Sequence, residues 1–409
     1  MKTRCGLLGE HLGHSYSPQL HRLLGTYPYE LCETAPEGIG AILADLSFTG
    51  FNVTIPYKRT VIPFMDELGP AARATGSVNT IVRRNDGSLF GDNTDVYGFG
   101  SMLDKSGVDV RGKKTLVLGS GGAASAVCEA LKSRSAQIVT VSRSGENNYQ
   151  NLRLHADAQI IVNATPVGMY PNNGVSPLDI SAFPKLGGVF DLIYNPARTR
   201  LIQDAKERGI PCESGLYMLV SQAARSSELF TGAPIGQAQV DRAYQTLLND
   251  MQNIVLIGMP GCGKSTAARA LSRLTGRPFI DCDEEIEKQT GLSPASIITS
   301  QGEAAFRRIE TDVLRELGKR SGWIVATGGG AVTREENYPL LGQNGVIVYL
   351  RRPLEKLPLE GRPLSAREGL KALYEQRKGL YEHFADRTVD ADDDADKTAE
   401  KIRNTVYGS

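Results

Sequence analysis

Short apolar and β-branched runs alternate with longer stretches of helical periodicity along the chain, a pattern typical of an α/β protein. In the first part of the chain, the runs that predict strands are Cys5–Leu8, Phe51–Ile55, Thr80–Arg83 and Ser88–Phe90. The last two bracket the sequence NDG, which favours a β-hairpin turn. After the first run, Pro18 predicts the first turn of a helix, with Ser15 or Ser17 as its cap.

From about residue 96, helices and buried strands follow one another regularly. The predicted helices are Val96–Lys105, Ser125–Leu131, Gly215–Leu229 and Ile235–Leu248. The predicted strands are Lys113–Leu118, Gln137–Val141, Ala158–Asn163 and Gly188–Ile193. The loop GSGGAA at 119–124 joins a strand to a helix and fits G-x-G-x-x-A, with Gly119, Gly121 and Ala124 in the three positions. This βαβ unit predicts a dinucleotide-binding site.

The residues that follow the second strand of this unit indicate which dinucleotide is bound. Enzymes that use NAD often carry an acidic residue there for the ribose 2′-hydroxyl. Here the chain has Ser142, Arg143 and Ser144. One cation and two hydroxyl groups suit a 2′-phosphate, so we predict NADP(H) as the cofactor, with Ser142 and Arg143 in contact with it.

A second glycine-rich loop lies roughly three-fifths of the way along the chain. The apolar run Asn253–Ile257 leads into GMPGCGKST at 258–266 and then into a helix-like segment at 267–274. Gly258, Gly263, Lys264 and Ser265 occupy the fixed positions of G-x-x-x-x-G-K-[ST]. Such a loop turns successive backbone N–H groups towards phosphate oxygens, and the following helix adds the positive end of its dipole. We expect Lys264 to reach the β- and γ-phosphates of ATP and Ser265 to ligate Mg²⁺.

The remaining segments continue the α/β pattern. Predicted strands are Arg277–Asp283, which ends in two aspartates, Gly322–Gly330 and Val346–Leu350. Predicted helices are Glu303–Arg320 and Gly369–Ala385. The stretch Pro358–Arg367 is polar and rich in turn residues, and the acidic run Asp390–Asp396 is predicted to be a solvated loop.

Composition narrows the classes of protein that fit. The 409 residues carry 46 basic and 46 acidic side chains, and this balance argues against nucleic acid as a partner. Six cysteines are scattered without a C-x-x-C pair, which indicates free thiols in a reducing cytosol. No run approaches the ~18 apolar residues of a membrane helix, and the first residues lack a signal-peptide profile. We therefore expect a cytoplasmic protein with no membrane partner; the oligomeric state stays open.

Four motifs in the first part of the chain resemble shikimate dehydrogenase: GHSYSPQLH at 13–21, NVTIPYK at 52–58, GSVNT at 76–80 and GDNTD at 91–95. The glycine loop, NAT at 163–165 and GLYMLVSQ at 215–222 agree, so the resemblance covers residues 1–245. It implies a discontinuous α/β substrate domain formed by residues 1–96 and 216–248. Between these two segments, a Rossmann NADP-binding domain would occupy residues 97–215.

The resemblance also implies roles for individual residues. Ser15 and Ser17 would bind a substrate carboxylate, and Thr54, Asn79 and Gln222 would hold ring hydroxyls. The other implied site residues are the catalytic pair Lys58 and Asp95, the pyrophosphate-binding loop Gly119, Ser120, Gly121, Gly122 and Ala123, and the cleft residues Tyr194 on the substrate side and Gly215 on the cofactor side. A lysine beside a carboxylate suits this chemistry, because a proton must move when hydride is transferred to or from an alcohol carbon.

Residues 252–409 resemble shikimate kinase through DCD at 281–283, FRRIE at 306–310, GGG at 328–330, RPL at 362–364 and Arg377, in that order. The resemblance implies a P-loop α/β/α domain with a parallel sheet. Asp281 would lie at the Mg²⁺ site with Ser265, and Asp283 would contact the ring hydroxyls, including the one that reacts.

The same resemblance implies how the two kinase ligands are held. Arg307 and Arg377 would clamp the substrate carboxylate, and Gly329 would offer a backbone N–H. Nucleotide contacts would come from Lys264, Arg362 on the lid, Gly261, Cys262, Gly263, Ser265 and Thr266. The lid segment Leu354–Arg367 is short, and a further upstream arginine expected in the family has no clear counterpart; Lys356 is available to replace it.

Both resemblances concern the same small polyhydroxylated acid. They predict a bifunctional enzyme of aromatic amino-acid precursor synthesis, in which 3-dehydroshikimate is reduced with NADPH and shikimate is then phosphorylated with MgATP. Its partners would be these small-molecule substrates. One alternative is a quinate-type dehydrogenase joined to a gluconate-like kinase. A second is a regulatory protein that senses these ligands without turnover, and a third, a GTP switch, is disfavoured because the chain lacks an N-K-x-D motif.

Overall fold

Three separate β-sheets follow one another along the chain, and each is flanked by helices. The computed structural model describes residues 3–13, 15–357, 367–391 and 394–408. Among these residues, no helix is both long enough and apolar enough to cross a membrane. Because each of the three sheets is flanked by helices, the fold is α/β throughout, as the alternation of apolar and periodic segments predicts.

The first sheet is mixed. Its strands, in chain order, are β1 (Cys5–Gly9), β2 (Tyr29–Glu33), β3 (Gly50–Val53), β4 (Glu67–Leu68), β5 (Thr80–Arg83) and β6 (Leu89–Asp92). They lie in the order β2-β1-β3-β5-β6-β4, with β5 antiparallel to both of its neighbours. The helices of this stretch are α1 (Ser17–Leu24), α2 (Ile39–Ala44), α3 (Pro70–Thr75) and α4 (Asp95–Ser106). The carboxyl ends of β3 and β6 thus deliver two of the sequence motifs to neighbouring positions.

The second sheet is wholly parallel. Its strands are β7 (Lys114–Leu118), β8 (Gln137–Val141), β9 (Ile160–Asn163), β10 (Gly188–Asp191) and β11 (Cys212–Ser214), in the order β11-β10-β9-β7-β8. Its helices are α5 (Gly122–Lys132) and α6 (Arg200–Glu207). Successive residues of β7 enter different cores, Val117 on one face and Leu116 with Leu118 on the other. A parallel sheet covered on both faces requires such an uninterrupted apolar strand.

Two long helices follow this sheet, α7 (Leu216–Thr231) and α8 (Gln237–Met251). Helix α7 returns to the first sheet, where the Phe230 ring lies so close to Gly50 that a β-carbon on that glycine would be 2.5 Å from the ring. The side chain of Ser226, in the same helix, bonds to Asn52 of β3. The polypeptide therefore leaves the first sheet after β6 and comes back to it through α7.

The third sheet is also wholly parallel. Its strands are β12 (Asn253–Ile257), β13 (Phe279–Asp281), β14 (Ile324–Ala326), β15 (Gly345–Arg351) and β16 (Arg387–Asp390), in the order β13-β14-β12-β15-β16. Its helices are α9 (Lys264–Thr275), α10 (Cys282–Thr290), α11 (Pro294–Gln301), α12 (Glu303–Gly318), α13 (Asn337–Gly342), α14 (Arg367–Phe384) and α15 (Ala395–Tyr407). Because β12 is central, the loop after it lies between the ends of β14 and β15.

Three local predictions from the sequence are wrong. Helix α1 is preceded by Tyr16 as its cap residue, and Ser15 instead accepts a hydrogen bond from the Ser17 backbone N–H at 3.2 Å. Asp283 does not end a strand but lies in the first turn of α10, because the Asp281 carboxylate caps that helix. The acidic run is not one loop, since Asp390 ends β16 and Asp394 caps α15.

The chain divides into two units. The first comprises Met1–Met169, Val175–Tyr194 and Leu201–Leu247, and the second comprises Tyr170–Gly174, Asn195–Arg200 and Leu248–Ser409. The first and second sheets belong to the first unit, and the third sheet belongs to the second unit.

Candidate active sites

A lysine and an aspartate form a close ion pair at the end of the first sheet. Lys58 Nζ lies 2.7 Å from Asp95 Oδ2, and the two side chains are 22% and 10% exposed. Lys58 belongs to the turn that follows β3, and Asp95 is the first residue of α4. Both side chains are therefore largely shielded from solvent.

The orientation of Asp95 is fixed by Asn79 and the residues around it. The Thr94 backbone N–H donates to Asn79 Oδ1 at 2.7 Å, which leaves the Asn79 amide NH₂ to donate to Asp95 Oδ1 at 2.9 Å. The Asp95 backbone N–H in turn donates to Asn93 Oδ1. One carboxylate oxygen thus binds Asn79 and the other binds Lys58, so the carboxylate cannot rotate without losing a hydrogen bond.

This ion pair faces a cavity of about 480 Å³. The cavity collects every residue predicted for the substrate of the dehydrogenase, from segments far apart in the chain: Ser15, Ser17, Thr54, Lys58, Asn79, Asp95, Tyr194 and Gln222. Two residues predicted on the cofactor side, Ala123 and Gly215, line the same cavity. Hydroxyl and amide groups surround the cation and carboxylate, as a small polar substrate requires.

Two aromatic rings border this cavity. Tyr16 and Tyr194 meet edge to face, with ring centroids 6.1 Å apart. Burial raises the pKa of the Tyr194 hydroxyl, which therefore stays protonated and can donate a hydrogen bond. Tyr16 carries no predicted role, although it stands between the two predicted serines in the first motif.

A buried polar network beneath the cavity was missed by sequence reasoning. Asn52 Nδ2 donates to Ser226 Oγ at 2.8 Å, and Asn52 Oδ1 accepts from the Tyr29 hydroxyl at 2.8 Å. Thr80 Oγ1 lies 2.8 Å from the same serine. The network holds α7, which carries Gln222, against the first sheet. The asparagine lies within a quoted motif, but nothing local in the sequence pairs it with a serine 174 positions away.

The glycine loop after β7 has the geometry of a dinucleotide site. Gly119 has φ +115°, and a β-carbon there would lie 3.0 Å from the Ala164 carbonyl oxygen at the end of β9. The loop thus lies where the strand order reverses, which is the usual ligand position in an open parallel sheet. Helix α5 has no side-chain cap at Gly121, and nothing lies within 4 Å of a β-carbon there. The uncapped backbone N–H groups at the start of α5 and the open space at Gly121 fit a pyrophosphate.

Ser142 and Arg143 follow β8, at the neighbouring strand end. Arg143 is exposed and makes no ion pair with any residue that the structure describes. Burial raises the pKa of the Tyr149 hydroxyl, and the positive charge of Arg143 offsets only part of that rise. An unpaired, exposed cation at this strand end fits a ribose 2′-phosphate.

The loop after β12 curls as the phosphate-loop pattern predicts. Gly258, Gly261 and Gly263 all have positive φ, at 148°, 82° and 96°. Lys264 Nζ donates to the carbonyl oxygens of Gly258 and Met259, at 2.9 and 3.1 Å. The Cys262 side chain is buried, with its sulfur 3.9 Å from Lys264 Nζ. Gly261, Gly263, Ser265 and Thr266 line a cavity of about 840 Å³ in front of the loop.

The predicted metal-binding residues lie together beside this loop. The Ser265 hydroxyl donates to Asp281 Oδ2, and Asp281 Oδ1 accepts from the Asp283 backbone N–H at 2.9 Å. Among the residues that the structure describes, no three His, Cys, Asp or Glu side chains form a metal cage. Mg²⁺ does not need one, because it usually takes one or two carboxylates, phosphate oxygens and water. A hydroxyl and a carboxylate oxygen next to a phosphate loop fit that preference.

Arg307 is held in the cavity wall by two carboxylates. Its Nη1 lies 2.7 Å from Glu310 Oε2 and its Nη2 lies 3.1 Å from Glu303 Oε1. Burial raises the pKa of Glu310, and the Arg307 guanidinium offsets only part of that effect. Glu310 is a further polar residue of this site for which the sequence indicated no role.

The three consecutive glycines after β14 allow this close packing. A β-carbon on Gly328 would lie 2.4 Å from Glu310 Oε1, and one on Gly329 would lie 2.6 Å from Pro260 of the phosphate loop. One on Gly330 would lie 2.0 Å from Arg307 Nη2. The predicted backbone contact of Gly329 is thus placed beside both the phosphate loop and the arginine.

Arg377 reaches the same wall from α14. Its Nη1 donates to the Gly329 carbonyl oxygen at 3.1 Å, and the Tyr381 hydroxyl donates to that oxygen as well. Asp283, Arg307, Gly329 and Arg377 therefore all line the cavity in front of the phosphate loop. So do Lys356 and Arg352, of which only the former was named from the sequence. Arg362 and the turn-rich stretch around it lie outside the described residues.

Comparison with known families separates the chain into the same two halves. The model of the shikimate dehydrogenase substrate-binding domain matches residues 7–81. The shikimate kinase model matches residues 260–407. The first stretch contains the Lys58 turn, and the second begins within the phosphate loop and contains Lys264.

Individual relatives agree with these matches. The NADP(+) shikimate dehydrogenase of Clostridium perfringens strain SM101 is 35% identical over 265 residues, which are 59% of this chain and 97% of that protein. A chorismate mutase/shikimate 5-dehydrogenase fusion protein from Clostridium acetobutylicum is 38% identical with a TM-score of 0.58, covering 60% of this chain and 97% of that one. A shikimate 5-dehydrogenase from Thermus thermophilus, solved with NADP(H) and shikimate, is 32% identical with a TM-score of 0.55, covering 60% and 99%. The chain therefore belongs to the shikimate dehydrogenase family in its first half, and residues 260–407 form a shikimate kinase domain, so that one polypeptide carries these two enzymes.

Proposed function

We propose that the first half reduces 3-dehydroshikimate to shikimate with NADPH, and that the second half transfers the γ-phosphoryl group of MgATP to the 3-hydroxyl of shikimate. The observation that carries the proposal is the Lys58–Asp95 ion pair, which faces a cavity lined by hydroxyl and amide groups. The phosphate loop faces a second cavity, which holds two arginines suited to a carboxylate. The product of the first reaction is thus the substrate of the second.

In the dehydrogenase, the oxygen of the substrate carbonyl would be placed next to Lys58. NADPH, when bound, supplies hydride to the carbonyl carbon. The Lys58 ammonium donates a proton to the alkoxide that forms, while Asp95 holds the lysine in position at 2.7 Å. Asn79 prevents the carboxylate from turning away, through its 2.9 Å hydrogen bond. The same pair would remove the proton when the reaction runs in reverse.

Binding of the substrate would distribute over the rest of the cavity. Ser15 and Ser17 donate to the carboxylate, and Thr54, Asn79 and Gln222 bond to the ring hydroxyls. The Tyr194 hydroxyl is available as a further donor, because its raised pKa keeps it protonated. For the cofactor, the backbone of residues 119–123 would hold the pyrophosphate, Gly215 would line its cleft, and Ser142 with Arg143 would bind the 2′-phosphate.

In the kinase, the residues around the phosphate loop would place shikimate against ATP. Arg307 and Arg377 bind the carboxylate of shikimate, helped by the Gly329 N–H. Asp283 accepts the proton of the attacking hydroxyl. Lys264 and the loop N–H groups neutralise charge on the transferred phosphoryl group, joined by Arg362 from the lid and by Lys356. Ser265 and Asp281 would hold Mg²⁺, which would further neutralise the phosphate charge.

The three sheets support a matching division into domains. Residues 1–96 and 216–248 would form the substrate domain of the dehydrogenase, since α7 packs on the first sheet. Residues 97–215 would form the cofactor domain around the second sheet, and residues 252–409 the kinase.

A coupled assay with the full chain tests the proposal. We supply 3-dehydroshikimate, NADPH and MgATP, and follow both NADPH absorbance and shikimate 3-phosphate. NADPH should be consumed with 3-dehydroshikimate alone, whereas shikimate 3-phosphate should form only when MgATP is added. No NADPH consumption would refute the dehydrogenase assignment, and no phosphorylation of added shikimate would refute the kinase assignment.

An assay of the dehydrogenase in the direction of alcohol oxidation decides between shikimate and quinate as its substrate. A quinate dehydrogenase from Corynebacterium glutamicum, solved with NAD, is 28% identical with a TM-score of 0.55 and covers 60% of the chain. Oxidation of quinate with NADP⁺ at a kcat/KM equal to that for shikimate would favour a quinate-type enzyme. We expect shikimate to be preferred.

A further inference from the structure

An arginine that carries no predicted role lies against the phosphate loop. Arg352 follows β15, which pairs in parallel with β12 so that Tyr349 lies beside Ile257. Strand β12 ends at Ile257, whereas β15 continues to Arg351 and so runs alongside the start of the phosphate loop. A β-carbon on Gly258 would lie 2.6 Å from the Leu350 carbonyl oxygen, and one on Gly263 would lie 3.5 Å from Arg352 Nη1. The guanidinium therefore reaches the loop just before Lys264.

The preceding residue, Arg351, has a different environment. Its Nε lies 2.7 Å from Asp390 Oδ1, and both side chains are 56% exposed. The bond to Asp390 raises the pKa of Arg351, and the same bond lowers the pKa of Asp390. Two adjacent arginines thus differ completely: Arg351 is paired across the sheet edge, whereas Arg352 lines the cavity.

Arg352 has no anionic partner within the described part of the protein. It takes part in no ion pair there, and its Nε is buried without a hydrogen bond. A buried donor left unsatisfied is costly, and a guanidinium is a geometrically suitable donor for phosphate oxygens. The side chain is only half-buried, so a ligand can reach its outer nitrogens from the cavity.

Three other cations that line the cavity have polar partners within the protein, and the fourth, Lys356, is exposed. Arg307 binds Glu303 and Glu310, Arg377 binds the Gly329 carbonyl oxygen, and Lys264 binds two carbonyl oxygens of its own loop. Arg352, in contrast, is half-buried, directly follows the last residue of β15, and lies beside the phosphate loop.

We propose that Arg352 is a nucleotide-binding residue of the kinase, whose guanidinium contacts the phosphate groups of a nucleoside di- or triphosphate seated on the loop at 258–266. The inference rests on the proposed function only in naming the kinase nucleotide as ATP. Its consequence is that the end of β15 supplies a phosphate contact that does not depend on closure of the lid.

Binding of MgADP to the full chain, measured by titration calorimetry, tests the assignment without requiring catalysis. Arg352→Met should raise the Kd for MgADP by about tenfold or more, since a charge-assisted hydrogen bond to phosphate is lost. The Kd of Arg352→Lys for MgADP should lie between those of the wild type and Arg352→Met, because lysine keeps the charge but not the planar guanidinium. The Kd for shikimate and the rate of NADPH oxidation should stay at wild-type values.

Arg351→Met is the matched control, since it removes the same charge one residue away. An unchanged Kd for MgADP in this variant supports a direct contact by Arg352. Equal weakening in both variants would overturn the assignment, because it would indicate only the general field of positive charge. An unchanged Kd in Arg352→Met would overturn it as well.

These outcomes are separate from those of the proposed function. If the wild-type chain binds MgADP but does not phosphorylate shikimate, the proposed kinase reaction fails while the two arginine variants still decide the role of Arg352. If the wild-type chain does not bind MgADP, both inferences fail.

Discussion

Replacing Gly330 with alanine should displace the side chain of Arg307 although no residue whose side chain is proposed to touch a ligand is itself substituted. Gly330 has φ −107° and ψ 4°, which alanine can adopt. The added β-carbon would lie 2.0 Å from Nη2 and 2.4 Å from Nη1 of Arg307. Ordinary contact begins at 3.4 Å, so the guanidinium must shift by at least the difference, 1.4 Å. The end of a long side chain can make this shift, and the cost therefore falls on what that side chain binds.

The first cost falls on the buried carboxylate beneath it. Glu310 is fully buried and would lose its 2.7 Å bond to Arg307. Breaking a buried ion pair costs about 3–5 kcal/mol in the extreme case. Because burial already raises the pKa of Glu310, the carboxylate can take up a proton instead. We therefore expect the free energy of unfolding of the kinase unit to fall by a smaller amount, about 1–3 kcal/mol, the cost of an unsatisfied buried group.

The second cost falls on shikimate binding. A charge-assisted hydrogen bond is worth about 1.5–3 kcal/mol, which corresponds to a rise of roughly 10- to 150-fold in KM for shikimate. The KM for ATP should change little. The assay measures phosphorylation at varied shikimate and saturating MgATP, together with denaturant unfolding. NADPH-dependent reduction by the same protein serves as an internal reference.

Gly379→Ala is the matched control in the same unit. It lies within α14, with nothing within 4 Å of its β-carbon, so alanine should leave KM unchanged and stabilise the helix by about 0.5–1 kcal/mol. A Gly330→Ala enzyme with wild-type KM for shikimate and wild-type stability would refute the packing argument. Lowered stability with unchanged KM would instead remove Arg307 from the shikimate site.

Four further predictions concern the two sites and the core. Lys58→Met should lower the dehydrogenase kcat by about 10²–10⁴-fold and spare phosphorylation, and near-normal turnover would remove this lysine from the mechanism. Lys264→Ala should abolish phosphorylation and spare NADPH oxidation, and loss of both activities in a folded protein would contradict the separation of the sites. Arg143→Ala should raise KM for NADPH far more than KM for NADH, whereas equal changes would show that Arg143 does not bind the 2′-phosphate. Burial lowers the pKa of His21 to about 3, so the first unit should lose stability as pH falls from about 6.5, where the unfolded histidine takes up a proton, towards 3. His21→Phe should remove that dependence, which denaturant titrations across this pH range would check, and the exposed His11→Gln should retain it.

The local motifs were predicted well because their chemistry is encoded in neighbouring residues. A loop that presents N–H groups to phosphate must combine glycines with a following helix, and Gly258–Lys264 carries that requirement in its own spacing. The same holds for the turn at Gly119. The ends of helices were predicted less accurately, as the cap residue Tyr16 of α1 shows. A cap depends on the direction from which the chain enters the helix, which local sequence does not specify.

The order of apolar runs and glycine loops determined by itself that this is an α/β protein with two glycine-rich loops of the phosphate-binding pattern, and the motifs around them predicted two sets of catalytic residues. Tertiary structure alone decided which side chains meet. It joined Asn52 to Ser226 across 174 positions, turned Asn79 so that its NH₂ faces Asp95, and separated Arg351, at the sheet edge, from Arg352, at the phosphate loop. The physical reason is that hydrogen bonding and burial depend on distance in space. A pattern of residue types records only which groups are available to meet.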